Sequence, residues 1–520
     1  MHLDRRGHAT SSMKSFFIRA GARIGRFFWS WGFLKFVLGV TTLIVVFYME
    51  EDWRGAHAWA VTKAKWEAQG ESLDYKTFIP PPVPDDQNLA ALPLFKLYAD
   101  IGYDGSTYME DRALRDALRT AQPEYKLPAA GKWQQGELPD MGKIRPTIAA
   151  HYAKAFKGVT PLAGALEQFD AIYPFLSELR AAAATRPLFR VNENYDISPP
   201  ALRPLGLITD QMRLSRILVL HAILALDDHQ AELALQDLKL NYQILSGVQR
   251  DPSVVGGLVA IAMNVIGSSV VFDGLASHAW SDAQLAELEQ MLEPIDFLTG
   301  YQFDMRSESA VSAANFESFK KQSFKKHSSL GDIPGFPLPS FPHFLNGWYD
   351  SNKAGMANTL LGATSWVDPK AHRVFVDQAE QGEEQTRRFV SHWTALRPGN
   401  ILFLIATPPL LHSLPHFIRG QGWVDQTRIA CALERYRLAH GVYPDALAAL
   451  VPADIDALPC DPINGEAYRY RVRPDGTFLL YSVGWKQTDD GGVAVYVLDN
   501  PTGPDDSVDK HGDWVWPTAK

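Results

Sequence analysis

Residues 254–272 read VVGGLVAIAMNVIGSSVVF, 19 positions without a charge. That run is long enough on paper to cross a bilayer. It carries Gly256, Gly257, Asn264, Gly267, Ser268 and Ser269, however, and Arg250 and Asp251 on one side face Asp273 on the other, so nothing orients a span. The pattern predicts a central helix buried on all sides. The alternative, a second membrane crossing, would return the C-terminus to the starting side.

Working outward from this helix, the sequence predicts others on both flanks. Leu162 to Thr185, Leu205 to Leu226 and Gln230 to Arg250 precede it, with Asp227-Asp228 as a turn and N-cap. Pro252 falls in the first turn of the central helix, which runs to about His278, and Ser281-Asp282-Ala283-Gln284 caps the next. Short connections between long helices make antiparallel neighbours, so the expected fold is mainly α, a body of stacked helical hairpins. No clear 34-residue period marks a tetratricopeptide solenoid. Ile401 to Leu411 is too short to span a membrane, carries Pro408-Pro409, and reads as core.

Near the start, Phe27 to Met49 (FFWSWGFLKFVLGVTTLIVVFYM) holds Lys35 as its only charge. Arg5, Arg6, Lys14, Arg19, Arg23 and Arg26 precede it against Asp4 alone, and Glu50, Glu51 and Asp52 follow. Length, flanking charge and the rings of Trp29, Trp31 and Tyr48 at its ends predict one transmembrane helix with the N-terminus in the cytoplasm. The exit sequence lacks the small residues of a signal-peptidase site, so the anchor is expected to stay uncleaved. Five segments follow: a basic tail over 1–26, the anchor over 27–49, a juxtamembrane helix and Pro-rich spacer over 50–84, a helical extracytoplasmic body over 85–424, and an α+β module over 425–520. The juxtamembrane helix is expected to reach residue 78, and Pro80-Pro81-Pro82-Val83-Pro84 to hold the body off the bilayer. Residues 85–160 carry no clear pattern.

In the last segment a helix from Asp425 to His440, ended by Gly441, precedes alternating runs at Ala467 to Val472, Thr477 to Val483 and Val493 to Leu498, which predict a small antiparallel sheet. The string Ala432-Leu433-Glu434-Arg435-Tyr436-Arg437, Gly441-Val442-Tyr443-Pro444, Leu458-Pro459-Cys460-Asp461-Pro462, Leu480-Tyr481-Ser482-Val483-Gly484, Asp489-Asp490-Gly491-Gly492 resembles the globular part of type II secretion major pseudopilins. The resemblance implies a module of that shape, with a calcium site in the loop of Asp489 and Asp490. A solvated acidic turn is the competing reading of that loop. Pseudopilus assembly is not implied, because the helix is not joined to the anchor and no Glu stands at Val37. Across the whole chain, Glu51-Asp52-Trp53-Arg54-Gly55, the Pro80 to Asn88 segment and Gly512-Asp513-Trp514-Val515-Trp516 resemble a family of membrane-anchored envelope proteins of verrucomicrobial and planctomycete bacteria. That implies an envelope location.

Chemistry is harder to find. The chain has no G-x-S-x-G, H-E-x-x-H, C-x-x-C, Walker loop or helix-opening G-x-G-x-x-G. His221 with Asp227, Asp228 and His229, Asp304 with Glu308 and Arg306, and His412 with His416 are the ionisable groupings. A cap, a solvated helix face and proline-broken geometry respectively account for them. Cys431 and Cys460 are the only cysteines, open to a disulfide outside the cytoplasm or to a buried free thiol in the first. Phe336, Phe341 and Phe344 in a Pro- and Gly-rich stretch form either a sticky patch or plugs for the body. With 46% hydrophobic and 21% charged residues the chain is neither disordered nor multi-spanning, and its net charge of -9 disfavours a nucleic-acid partner. The expected function is a non-enzymatic envelope scaffold, on the periplasmic face of the inner membrane, whose module contacts another protein. The alternative is an extracytoplasmic hydrolase with its site between about 200 and 400.

Overall fold

The computed structural model describes residues 31–93, 95, 133–160, 162–191, 195, 200, 206–322, 346–393, 401–494 and 512–519. The fold is mainly helical with a small antiparallel sheet near the C-terminus. In chain order the helices are α1 (Trp31–Glu67), α2 (Met141–Ala155), α3 (Ala165–Ile172), α4 (Phe175–Ala183), α5 (Gly206–Asp227), α6 (Ala231–Val248), α7 (Val254–Ala276), α8 (Asp282–Leu292), α9 (Phe297–Gln322) and α10 (Asn346–Ala363). A two-residue hairpin, β1 (Val367–Asp368) with β2 (Arg373–Val374), leads to α11 (Val376–Trp393), α12 (Ile401–Leu411) and α13 (Leu414–His440). The sheet then forms from β3 (Arg469–Val472), β4 (Phe478–Ser482) and β5 (Trp514–Val515), in that spatial order.

Helix α7 is the centre. Ser253 caps it, its hydroxyl accepting from the Gly256 N–H at 3.1 Å, and α5, α6, α9 and α13 surround it. Its most apolar window is 72% buried, as expected of a core helix. The glycines explain how neighbours come so close: a β-carbon on Gly257 would strike the Asp304 carboxylate and the Phe417 ring, and one on Gly274 would strike the Trp280 indole. The Ser281–Gln284 capping box opens α8 as the sequence predicts.

Four expectations fail for local reasons. Leu162 to Thr185 is two helices, because Pro174 disfavours a helical Tyr173 and cannot donate to the ladder. Asp227 and Asp228 do not cap α6. Both pair with Arg145 of α2 instead, while His229 makes the turn at φ +60. The juxtamembrane helix is continuous with the apolar segment and ends at Glu67, followed by a 3-10 turn at Tyr75–Phe78. The Pro-rich segment is no stand-off spacer: the Pro80 carbonyl accepts from Arg190 at 2.7 Å, and Asn88 is bonded to the backbone of Arg190.

The body docks far earlier, on α1 itself. Trp348 Nε1 donates to Glu51 at 2.9 Å, the Gly347 N–H to Asp52 at 2.7 Å, and Trp66 Nε1 to Asn358 at 3.0 Å. The preceding 18-residue apolar window of α1 makes no buried contact, with Leu34, Phe36, Leu38 and Leu43 all exposed. It is a candidate membrane anchor or signal sequence.

A boundary at residue 425 would cut through α13. This helix is buried almost throughout its first 21 residues and packs on α7, α8 and α9, while the sheet covers its other side. Trp133, Phe272 and Trp423 from the body share one core with Leu433, Leu480 and Trp516. The third strand is Trp514–Val515, paired with Ser482 and Tyr481. The predicted Val493 to Leu498 strand falls largely outside the described residues, as do Phe336, Phe341 and Phe344.

Candidate functional site

Among the described residues, two histidine networks and two clefts gather ionisable groups. In the first network His221 on α5 is fully buried, with Nδ1 2.5 Å from Asp237 on α6 and Nε2 3.1 Å from Asp170 on α3. Arg180 on α4 also bonds Asp237, at 2.8 Å. Burial opposes the imidazolium, but the hydrogen bonds to Asp170 and Asp237 outweigh it and hold the pKa above its ordinary value, against the nearby Arg180 charge. An imidazole shared by two carboxylates ties α3 and α4 onto α5 and α6.

The second network gathers around Asp425 on α13. Its carboxylate, 1% exposed, accepts from His372 Nε2, from the Tyr468 hydroxyl and from Gln421, each at 2.9 Å. Gln421 in turn accepts from the N–H of Phe297 at the start of α9 at 2.8 Å. His372 lies in the β1–β2 turn at φ +48, a conformation that costs a non-glycine residue some energy. One buried carboxyl group thus joins the hairpin, α13, α9 and the terminal sheet. Asp461 pins the same sheet, accepting from the N–H groups of Ile463 at 3.0 Å and Val483 at 3.2 Å.

The loop of Asp489 and Asp490 is exposed, and its carboxylates are engaged within the protein. Asp489 accepts from the Tyr481 hydroxyl at 3.0 Å and the Gly491 N–H at 2.8 Å. Asp490 and the fully buried side chain of Asp513 converge on the ammonium of Lys486. Burial opposes that charge, yet the two carboxylates hold it above its ordinary value. A built-in cation therefore stands against Asp490, one of the two residues for which the resemblance implies calcium. Among the described residues no group of three or more His, Cys, Asp or Glu is arranged to hold a metal. Cys431 is a buried free thiol, its pKa pushed up by burial, and Cys460 is an exposed free thiol, so no disulfide joins them.

Asp304 corrects another expectation. It faces the core rather than solvent, with both oxygens buried and, among the described residues, without a hydrogen-bond partner, while Arg306 pairs with Glu71 at 2.9 Å. Burial, then the neighbouring Glu308 and Asp251, push the Asp304 carboxyl well above the usual range. His412 and His416 sit on opposite sides of a helix break; His412 lies 3.6 Å from Glu383.

Of the clefts, one of about 650 Å³ runs between α6 and the start of α9, lined by Lys239, Gln243, Arg250, Met291, Ile295 and Phe303. The other, about 480 Å³, opens between α1, α9 and α10, lined by Trp59, Tyr75, Lys76, Tyr195, Glu317 and Lys353. Lys353 is held there by Asp350 at 2.6 Å and Glu317 at 3.1 Å, with the Trp59 ring 4.9 Å away. Neither this cleft nor the His372 network is legible in the sequence, because their members lie far apart in the chain. No family model, curated protein or solved structure matches the chain.

Proposed function

We propose that the chain is a non-enzymatic scaffold, anchored by α1 in the inner membrane with its N-terminus in the cytoplasm and its body in the periplasm. The observation that carries this reading is the unbroken course of α1, from an exposed apolar stretch straight into a segment stapled to α10 through Glu51, Asp52 and Trp66. Such a strut fixes the height and orientation of the body over the membrane, which a tethered catalyst does not need and a platform does. Strand β3 offers a contact surface: three of its four residues are exposed, it lies at one edge of the sheet, and sheet edges accept an added strand from a partner.

The hydrolase alternative has less behind it. His221 and His372 are both engaged by carboxylates, and among the described residues neither has a hydroxyl or thiol nucleophile as partner, Tyr468 bonding Asp425 instead. A photo-crosslinking residue at Arg471 on β3 should yield one discrete heteromeric product in intact membranes, and one at Lys154 on α2 should not. Absence of a discrete product from Arg471 would count against the scaffold.

A further inference from the structure

Independently of the scaffold reading, we infer that the cleft between α1, α9 and α10 binds a short glycan. Its volume of about 480 Å³ falls within the range of small-molecule sites, about 300 to 1,000 Å³. Its walls combine two chemistries. Trp59, Tyr75 and Tyr195 supply aromatic rings, and Glu317, Lys353 and Lys76 supply charged groups of both signs.

The polar side of the wall is preorganised. The Lys353 side chain, 5% exposed, is fixed between Asp350 and Glu317 and against the Trp59 ring. Glu317 keeps 42% of its side chain exposed at the cleft, and although burial opposes its charge, Lys353 and then Lys321 and Lys320 hold it ionised below the usual range. A simple anion would meet Glu317 and Asp74, and a simple cation would meet Lys353 and Lys76. A wholly apolar ligand would strip water from an ionised carboxylate, which is costly. A sugar ring satisfies all of these constraints. Its C–H faces pack on aromatic rings, and each hydroxyl both donates to a carboxylate and accepts from an ammonium. Trp59 stands ten residues beyond Met49, roughly 15 Å along the helix axis, so the site lies clear of the apolar stretch.

The test is calorimetric titration of the full chain, in a detergent without a sugar headgroup, with two probes: a β-1,4-linked N-acetylglucosamine trisaccharide and maltotriose. Saturable binding of either is expected, weakened roughly tenfold or more by Glu317→Gln and by Trp59→Ala, and unchanged by Arg250→Gln in the other cleft. Glu317→Gln preserves packing, and a melting curve for each variant separates lost binding from lost fold. No binding of either probe, or binding that both cleft variants leave intact, overturns the assignment. The titration does not depend on which side of a membrane the body occupies, so a failed topology would leave this result standing.

Discussion

Gly55 on α1 and Gly347 on α10 meet backbone to backbone: a β-carbon on Gly55 would collide with the Gly347 carbonyl, and one on Gly347 with the carbonyl of Glu51. Neither obstacle is a flexible side-chain tip, so the clash cannot be relieved without parting the helices. Gly55→Ala and Gly347→Ala should each destabilise the docking of α1 on α10 by about 1–3 kcal/mol, the usual cost of overpacking. Proteolysis after Lys63 or Lys65 should become faster than in the parent. Unchanged cleavage would mean that α1 is not held as described.

The Asp425 network predicts a pH dependence. Burial disfavours charge on His372, but Asp425, and to a smaller degree Asp296, raise its pKa above its ordinary value against Arg428. A histidine whose folded pKa exceeds its unfolded value contributes stability fully below about pH 6.5 and loses it as pH rises through the folded pKa. His221 shifts in the same direction. Melting temperature should therefore fall from about pH 6.5 upward, and His372→Gln should flatten part of that slope. A slope identical in variant and parent would remove His372 from the account.

Asp304 predicts a gain. Its folded pKa lies above its unfolded value, so its contribution is favourable below the unfolded pKa of 3.8 and is lost as pH climbs toward the raised folded value. At neutral pH the buried, unpartnered carboxyl is therefore a cost. Asp304→Asn, similar in shape and uncharged, should raise the melting temperature at pH 7 and have little effect near pH 3. Destabilisation at pH 7 would point to a counter-ion or hydrogen-bond partner for Asp304.

Lys486 predicts indifference to calcium. With its ammonium between Asp490 and Asp513, millimolar calcium should leave the melting temperature of the parent unchanged. Lys486→Gln should lower it by stranding the buried Asp513. A rise with calcium in the parent would restore Asp489 and Asp490 as ligands.

What the sequence made legible was local. Both ends of α5, α6 and α7 and the start of α8 agree with the sequence reading within a few residues, because Ser253, Ser281 and the charge-free run of α7 act within a turn or a helix length. The partners of Glu51 and of His221 were not legible. Glu51 bonds a tryptophan 297 positions away, and the His221 cluster draws on four helices. Asp304 misled for a physical reason: Arg306 and Glu308 beside it make the helix face look solvated, whereas Gly257 on α7 leaves room for a carboxylate in the core. The α+β character of the C-terminus was readable from alternation and turns. Its fusion to the body through α13 was not, since Asp425 looks like an ordinary helix start.

The most direct test of the anchored scaffold is a pair of reporter fusions in intact cells. A phosphatase fused after Lys520 should be active and remain with the membrane fraction, whereas the same phosphatase fused after Arg26 should be inactive. An inactive fusion after Lys520, with the C-terminus accessible only from the cytoplasm, would contradict the account.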